Sequence, residues 1–157
     1  GKTVSEKCSK CRGRGVIKEI VALKVKIPAG IDDNQAIRLS GQGDAGAKGG
    51  AAGDLYLRIR VRPDKRFERQ GDDILSKIQI NFTQAALGDK IDMETVDGPI
   101  KMKIPEGTQS GTVFKLKGRG VPRVHASGRG DHLVEVIVKT PKDLTKKQKE
   151  LLKDSGI

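Results

Sequence analysis

The chain has 157 residues, 35% hydrophobic and 32% charged, so an interior is possible but thin, spread over one ordinary domain or two small ones. No apolar run approaches bilayer-crossing length, and Gly1-Lys2-Thr3-Val4 carries neither an initiator Met nor the apolar stretch of a signal peptide. A soluble, cytoplasmic piece of something longer is expected, with no membrane partner. Thirty-one Lys and Arg against 20 acids give a net charge of +11, which favours acidic partners, yet the bases are scattered along strand-like segments. Tyr56, Phe67, Phe82 and Phe114 are the only aromatics, too few for the ring platforms on which single-stranded nucleic acids stack.

In chain order, the first chemical signal is Cys8-Ser9-Lys10-Cys11. Two thiolates at this spacing reach one tetrahedral zinc, but a closed structural site takes four ligands. There is no third cysteine, and His125 and His132 are far along the chain in strand or turn contexts. The pair reads as half of a zinc site. A redox pair would open the helix of a βαβ unit, and no such unit is visible.

Beyond it the chain alternates with a period of two. Val21, Leu23, Val25 and Ile27 predict a strand, as do Leu55, Leu57, Ile59 and Val61. The same pattern recurs at Ile78, Ile80 and Phe82, at Ile100, Met102 and Ile104, and at Val134, Val136 and Val138. Pro28-Ala29-Gly30, Asp97-Gly98-Pro99 and Pro105-Glu106-Gly107 punctuate the runs. Short antiparallel strands packed as small sandwiches are expected. Thr83 to Gly88 reads as one helical turn, capped by Thr83 and stopped by Gly88. Gly13-Arg14-Gly15, Gly41-Gln42-Gly43 and Gly118-Arg119-Gly120 are flanked by strands or more glycine, so they read as turns and not as phosphate loops. Asp54 and Asp131, each just before a strand, are expected to bond to nearby backbone. At the end, Thr145 and Gln148 make a capping box for a helix that exits at Gly156, with a narrow edge of Leu144, Leu151 and Leu152 expected to pack on the second module.

The strongest organisational signal is an internal repeat. Residues 23–62 slide onto 100–139 at a constant shift of 77, with 11 identities, among them Pro28/Pro105, Gly30/Gly107, Gly41/Gly118, Gly43/Gly120, Gly53/Gly130 and Asp54/Asp131. Average composition gives about two or three by chance. Paired glycines imply paired turn geometry. The fold expected is therefore mainly β: two tandem small β-sandwich-like modules, the first incomplete, with a short C-terminal helix. The boundaries are 1–15 for a cysteine-rich remnant, 16–68 for the first module, 69–143 for the second and 144–157 for the helix. No nucleophile stands beside a plausible base, and no acid pair is set apart in an apolar site, so catalysis is not expected.

Taken together, these residues resemble the type I (class A) DnaJ co-chaperones. Cys8-Ser9-Lys10-Cys11-Arg12-Gly13-Arg14-Gly15 matches that family's CxxCxGxG zinc repeat. Val25-Lys26-Ile27-Pro28-Ala29-Gly30-Ile31, Gly53-Asp54-Leu55, Phe67 to Asp73, Ala85-Ala86-Leu87-Gly88 and Asp97-Gly98 continue the match in order. The resemblance implies a client-binding C-terminal region that begins at the last zinc repeat. It implies zinc in the intact protein, with Cys8 and Cys11 lacking their partners here and no metal expected in this piece. It also implies unfolded or extended polypeptide clients held at an apolar groove, for which Leu23 and Leu57 match groove positions. A DnaK-type ATPase chaperone as partner of the intact protein and a homodimer through the C-terminus are implied as well. The His-Pro-Asp tripeptide that stimulates that ATPase is absent from this sequence. The reading of the residues alone leaves Leu23 and Leu57 open between core and groove. It also leaves a basic β-module binding single-stranded nucleic acid as the alternative.

Overall fold

The computed structural model describes residues 8–13, 15–46 and 49–156. Gly1-Lys2-Thr3-Val4, and Arg14 of the first Gly-x-Gly piece, lie outside the described residues. The chain divides into two compact units, one ending at Arg62 and one starting at Pro63.

In the first unit, β1 (Ala36–Leu39) and β2 (Leu55–Arg58) form an antiparallel ribbon with Ile37 opposite Leu57 and Leu39 opposite Leu55. The strand expected over Val21 to Ile27 does not form: residues 16–28 carry no regular secondary structure. Alternation supplies an apolar face but no hydrogen-bond partner, and none of the strands among the described residues pairs with this segment.

In the second unit, β3 (Glu68–Gln70), β4 (Asp73–Asn81), β8 (His132–Lys139) and β7 (Val113–Leu116) form one sheet in that order. The ribbon of β5 (Asp89–Thr95) and β6 (Gly98–Ile104) supplies the facing apolar layer. Ile80 from β4, Ile91 and Met93 from β5, Met102 and Ile104 from β6 and Val134 and Val136 from β8 make the core, closed at one end by Ala85. Each contributes from alternate positions along its strand, as a two-layer sandwich requires. The expectation of antiparallel pairing is wrong at the centre: β4 and β8 run parallel, with Ile74 opposite His132 and Ile80 opposite Val138. Parallel neighbours need a long crossover, and the segment from Phe82 to Asp131 provides it. Period-two alternation is the same for either direction, so the sequence pattern was silent on this point.

The short helix α1 (Phe82–Leu87) ends at Gly88 as expected, but its cap is Asn81 and not Thr83. The Asn81 side chain accepts from Gln84 N–H at 2.8 Å while the Gln84 side chain accepts from Asn81 N–H at 3.1 Å, a reciprocal box spaced three residues apart. Thr83 sits two residues too far along to close it. Gly88 has φ +75°, and a Cβ there would meet the Ile104 carbonyl oxygen at 2.9 Å, so only glycine fits this exit.

The terminal helix α2 (Lys146–Asp154) carries the Thr145–Gln148 box read from the sequence. Its expected packing on the second module is not seen: no α2 residue is buried, and Leu151 is 59% exposed. Three leucines make too narrow a stripe to seat a helix of nine residues.

Candidate functional site

The repeat survives as geometry, hydrogen bond for hydrogen bond. Gly41 N–H donates to Asp54 Oδ1 at 2.9 Å, and Gly118 N–H donates to Asp131 Oδ1 at 2.8 Å. Gly43 N–H reaches the Gly53 carbonyl at 2.8 Å, and Gly120 N–H the Gly130 carbonyl at 2.8 Å. Arg38 pairs with Asp54 at 2.6 Å, and Lys115 with Asp131 at 2.8 Å. The pairings Ala36–Arg58 and Leu39–Leu55 recur as Val113–Glu135 and Leu116–His132. Each aspartate is thus a clasp that ties the Gly-x-Gly turn to the head of its strand, and at Asp131 the Lys115 ammonium and the Gly118 N–H hold the carboxyl below its usual range.

What differs is the covering of the apolar face. Val134 and Val136 on β8 are fully buried, and Ile104 is 1% exposed. Their counterparts at the shift of 77 are Leu57, Ile59 and Ile27. Leu57 and Ile59 are only half-buried, and Ile27 is 56% exposed. Met102 is buried where Val25 is half-buried. Among the described residues every buried position belongs to the second unit. Identical local geometry therefore carries a sealed apolar face in one copy and an open one in the other.

The two sequence-chosen positions lie on that open copy. Leu57 sits in the middle of β2, opposite Ile37, with Leu55 and Ile59 on the same face. Leu23 is 40% exposed in the extended segment that precedes the Pro28-Ala29-Gly30 turn. Neither is sealed in a core. Val16, Ile17, Ile20, Val21 and Ile27 are further exposed apolar side chains along the same stretch. Sequence reasoning singled out two positions, and the structure leaves these further apolar side chains exposed as well. The signal that finds the rest is the mismatch between a residue's hydrophobicity and the lack of a facing layer.

Cys8 is exposed and Cys11 half-buried. Arg12 N–H donates to the Cys8 carbonyl at 2.8 Å, closing a tight turn through Arg12 at φ +50° and Gly13 at φ +84°. An open cleft of about 520 Å³ beside Cys11 is lined by Lys10, Arg12, Val16, Ile17 and Lys18, and offers no further ligand. No group of three or more His, Cys, Asp or Glu among the described residues could hold a metal. Two thiols do not fit a closed zinc site, which takes four ligands. His132, the other ligand type considered, is fully buried and bonded through Nε2 to Ser76 Oγ at 2.7 Å, with Nδ1 unpartnered. Burial pushes its pKa down.

No helix among the described residues is long and apolar enough to cross a membrane. Residues 2–141 match the family described as the DnaJ C terminal domain. The Chaperone protein DnaJ of Halalkalibacterium halodurans is 53% identical over 154 residues, covering 98% of this chain and 42% of the relative. Those of Desulfitobacterium hafniense and Acetivibrio thermocellus are 48% and 50% identical over 156 and 153 residues, covering 41% and 40% of the relatives. The chain therefore spans about two fifths of the length of these curated relatives. With a profile match over most of its length and relatives near half identity, and with the repeated clasp and turn at the matching positions, the chain belongs to the DnaJ C-terminal domain family.

Proposed function

We propose that this chain holds non-native polypeptide in extended form on the open apolar face of its first repeat, preventing aggregation. In the intact protein it hands such clients to a DnaK-type ATPase. The observation that carries this reading is the repeat comparison: the face that Val134, Val136 and Ile104 bury in one copy is only half-buried at Leu57 and Ile59 and exposed at Ile27 in the other. An apolar surface left open in a protein this highly charged is an interaction site by default. An extended client adds its backbone to strand edges without regard to sequence and drops alternate side chains onto the apolar face, which suits a protein that accepts many partners. Leu23 and Leu57 are the positions assigned to client contact.

No covalent chemistry is assigned to any residue, and the chain is read as a non-enzymatic co-chaperone that works in the cytoplasm. Zinc belongs to the intact protein, where Cys8 and Cys11 would supply half of one ligand set. The exposed leucine edge of α2 suits a homodimer formed through the C-terminus. The basic nucleic-acid alternative is not favoured by the comparisons or by the four aromatics.

The test is suppression of aggregation of a chemically denatured test protein. Leu23→Asp and Leu57→Asp together place a charge at each assigned contact position and should weaken suppression about tenfold or more, since a charge buried under a client opposes apolar contact. Circular dichroism should show the β signal retained. Unchanged suppression with the fold intact removes both residues from the site.

A further inference from the structure

The two repeats also differ on the face of their ribbons that points away from the apolar side. On β8 that face carries Leu133, Glu135 and Ile137, and Glu135 is paired with the Lys77 ammonium of β4 at 2.9 Å. The mates of Leu133, Glu135, Ile137 and Lys139 at the shift of 77 are Tyr56, Arg58, Arg60 and Arg62. All four mates are exposed, Tyr56 by 62%. A mixed face whose one acid is neutralised in the second repeat is a row of arginines in the first.

Nothing in the first unit answers that charge. Arg58, Arg60 and Arg62 make no ion pair or side-chain hydrogen bond among the described residues. The carboxylates at the two ends of the row are engaged elsewhere. Asp54 holds Arg38 at 2.6 Å and Gly41 N–H at 2.9 Å. Asp33 accepts from Val61 N–H and from the Asn34 side chain, each at 2.8 Å. The backbone under the row is fixed beyond the end of β2: Ile59 N–H donates to the Gln35 carbonyl at 2.8 Å, and Asn34 N–H to the Ile59 carbonyl at 2.9 Å. Alternate residues of an extended chain stand about 6.6–6.8 Å apart, so three like charges repeat at that spacing along one face.

We infer that this arginine row binds an extended acidic polypeptide segment with carboxylates at alternate positions. A partner of the same period sets one carboxylate against each guanidinium, and the planar fork of arginine suits that contact better than a lysine ammonium does. A segment with its acids in consecutive positions turns half of them away. A single-stranded nucleic acid fits less well, because Tyr56 is the only ring in the row and such strands stack on several. The row lies on the opposite face of the ribbon from Leu57 and Ile59, so an acidic segment and an apolar client are held independently.

Tyr56 is the chain's single tyrosine and there is no tryptophan, so its emission reports occupancy of the row without a label. The probe is an aromatic-free peptide of alternating glutamate and threonine, titrated into the full chain at low salt, beside a block peptide of the same composition with its glutamates consecutive. Saturable binding is expected, with the alternating peptide about threefold or more tighter than the block and both weakened as salt rises. Arg58→Gln, Arg60→Gln and Arg62→Gln together should weaken binding about tenfold or more, since three charge pairs are lost from an exposed face. Equal binding of the two peptides, unchanged binding by the triple variant, or tighter binding of an oligothymidylate than of the alternating peptide would each overturn the inference. Aggregation suppression by the triple variant, measured alongside, keeps this site apart from client contact. Its retention with loss of peptide binding supports two faces, and loss of both contradicts their independence.

Discussion

The two repeats answer the same local instructions and end in opposite states. From the clasp at Asp54 or Asp131 to the ribbons β1–β2 and β7–β8, bond lengths and register agree position by position. Yet Val134 and Val136 are sealed while Leu57 and Ile59 are half open. The difference lies in what faces and flanks each ribbon. The second has β4 at its side and the β5–β6 ribbon against its apolar face. The first has neither among the described residues. Local turn chemistry thus shapes a ribbon, and only the neighbouring layer decides whether its apolar side becomes core or binding surface. Burial is worth about 25 cal/mol per Å² of apolar area, so the same side chains stabilise one copy and remain available to a partner in the other.

The sharpest way to break this comparison is to truncate repeat mates. Ile104→Ala should destabilise the second unit by about 2–5 kcal/mol, the range for a large aliphatic side chain removed from a packed core. Its mate Ile27→Ala, at a position 56% exposed, should cost less than about 1 kcal/mol. Urea melts followed by signals from each unit would measure both. Equal losses would mean that the first copy packs as tightly as the second.

A smaller effect distinguishes the pair Leu55 and His132, mates at the head of β2 and β8. Burial lowers the His132 pKa below the ordinary value for a histidine. The unfolded chain therefore takes up the proton first as pH falls. The stability held by neutral His132 is fully present above about pH 6.5 and is lost progressively below it, down to the folded-state pKa. His132→Leu, which installs the residue of the other repeat, removes that dependence and the unpartnered Nδ1. The net change at pH 7.5 should be within about 1 kcal/mol, because the Ser76 bond is lost as the unsatisfied nitrogen disappears. A melt series from pH 7.5 to 5 reads the difference. A wild-type slope that persists in the variant would assign the titration elsewhere.

Much of this was legible because glycine and aspartate at turns are read locally. Gly41, Gly43, Gly53 and Asp54 recur at a fixed shift, and each pair takes one geometry for steric reasons that operate within about 20 residues. The Thr145 box was legible for the same reason. The direction of β4 against β8 was not, since alternation is blind to strand polarity. Nor was the cap at Asn81, which competes with Thr83 and wins by its three-residue spacing to Gln84. The strand expected at Val21 to Ile27 failed for a related reason: its pattern encodes a face, while a ladder needs a partner from elsewhere. At the candidate site, the resemblance supplied Leu23 and Leu57. Their incomplete burial, and the exposure of Val16, Ile17, Ile20, Val21 and Ile27, followed only from seeing which layer was missing.

Amide hydrogen exchange with and without an excess of denatured test protein tests the central claim most directly. Slowed exchange should appear in the first repeat, over residues 23–27 and 55–59, with β8 unchanged at Val134 and Val136. Protection confined to the second repeat, or none in either, would contradict an open apolar face as the place where polypeptide is held.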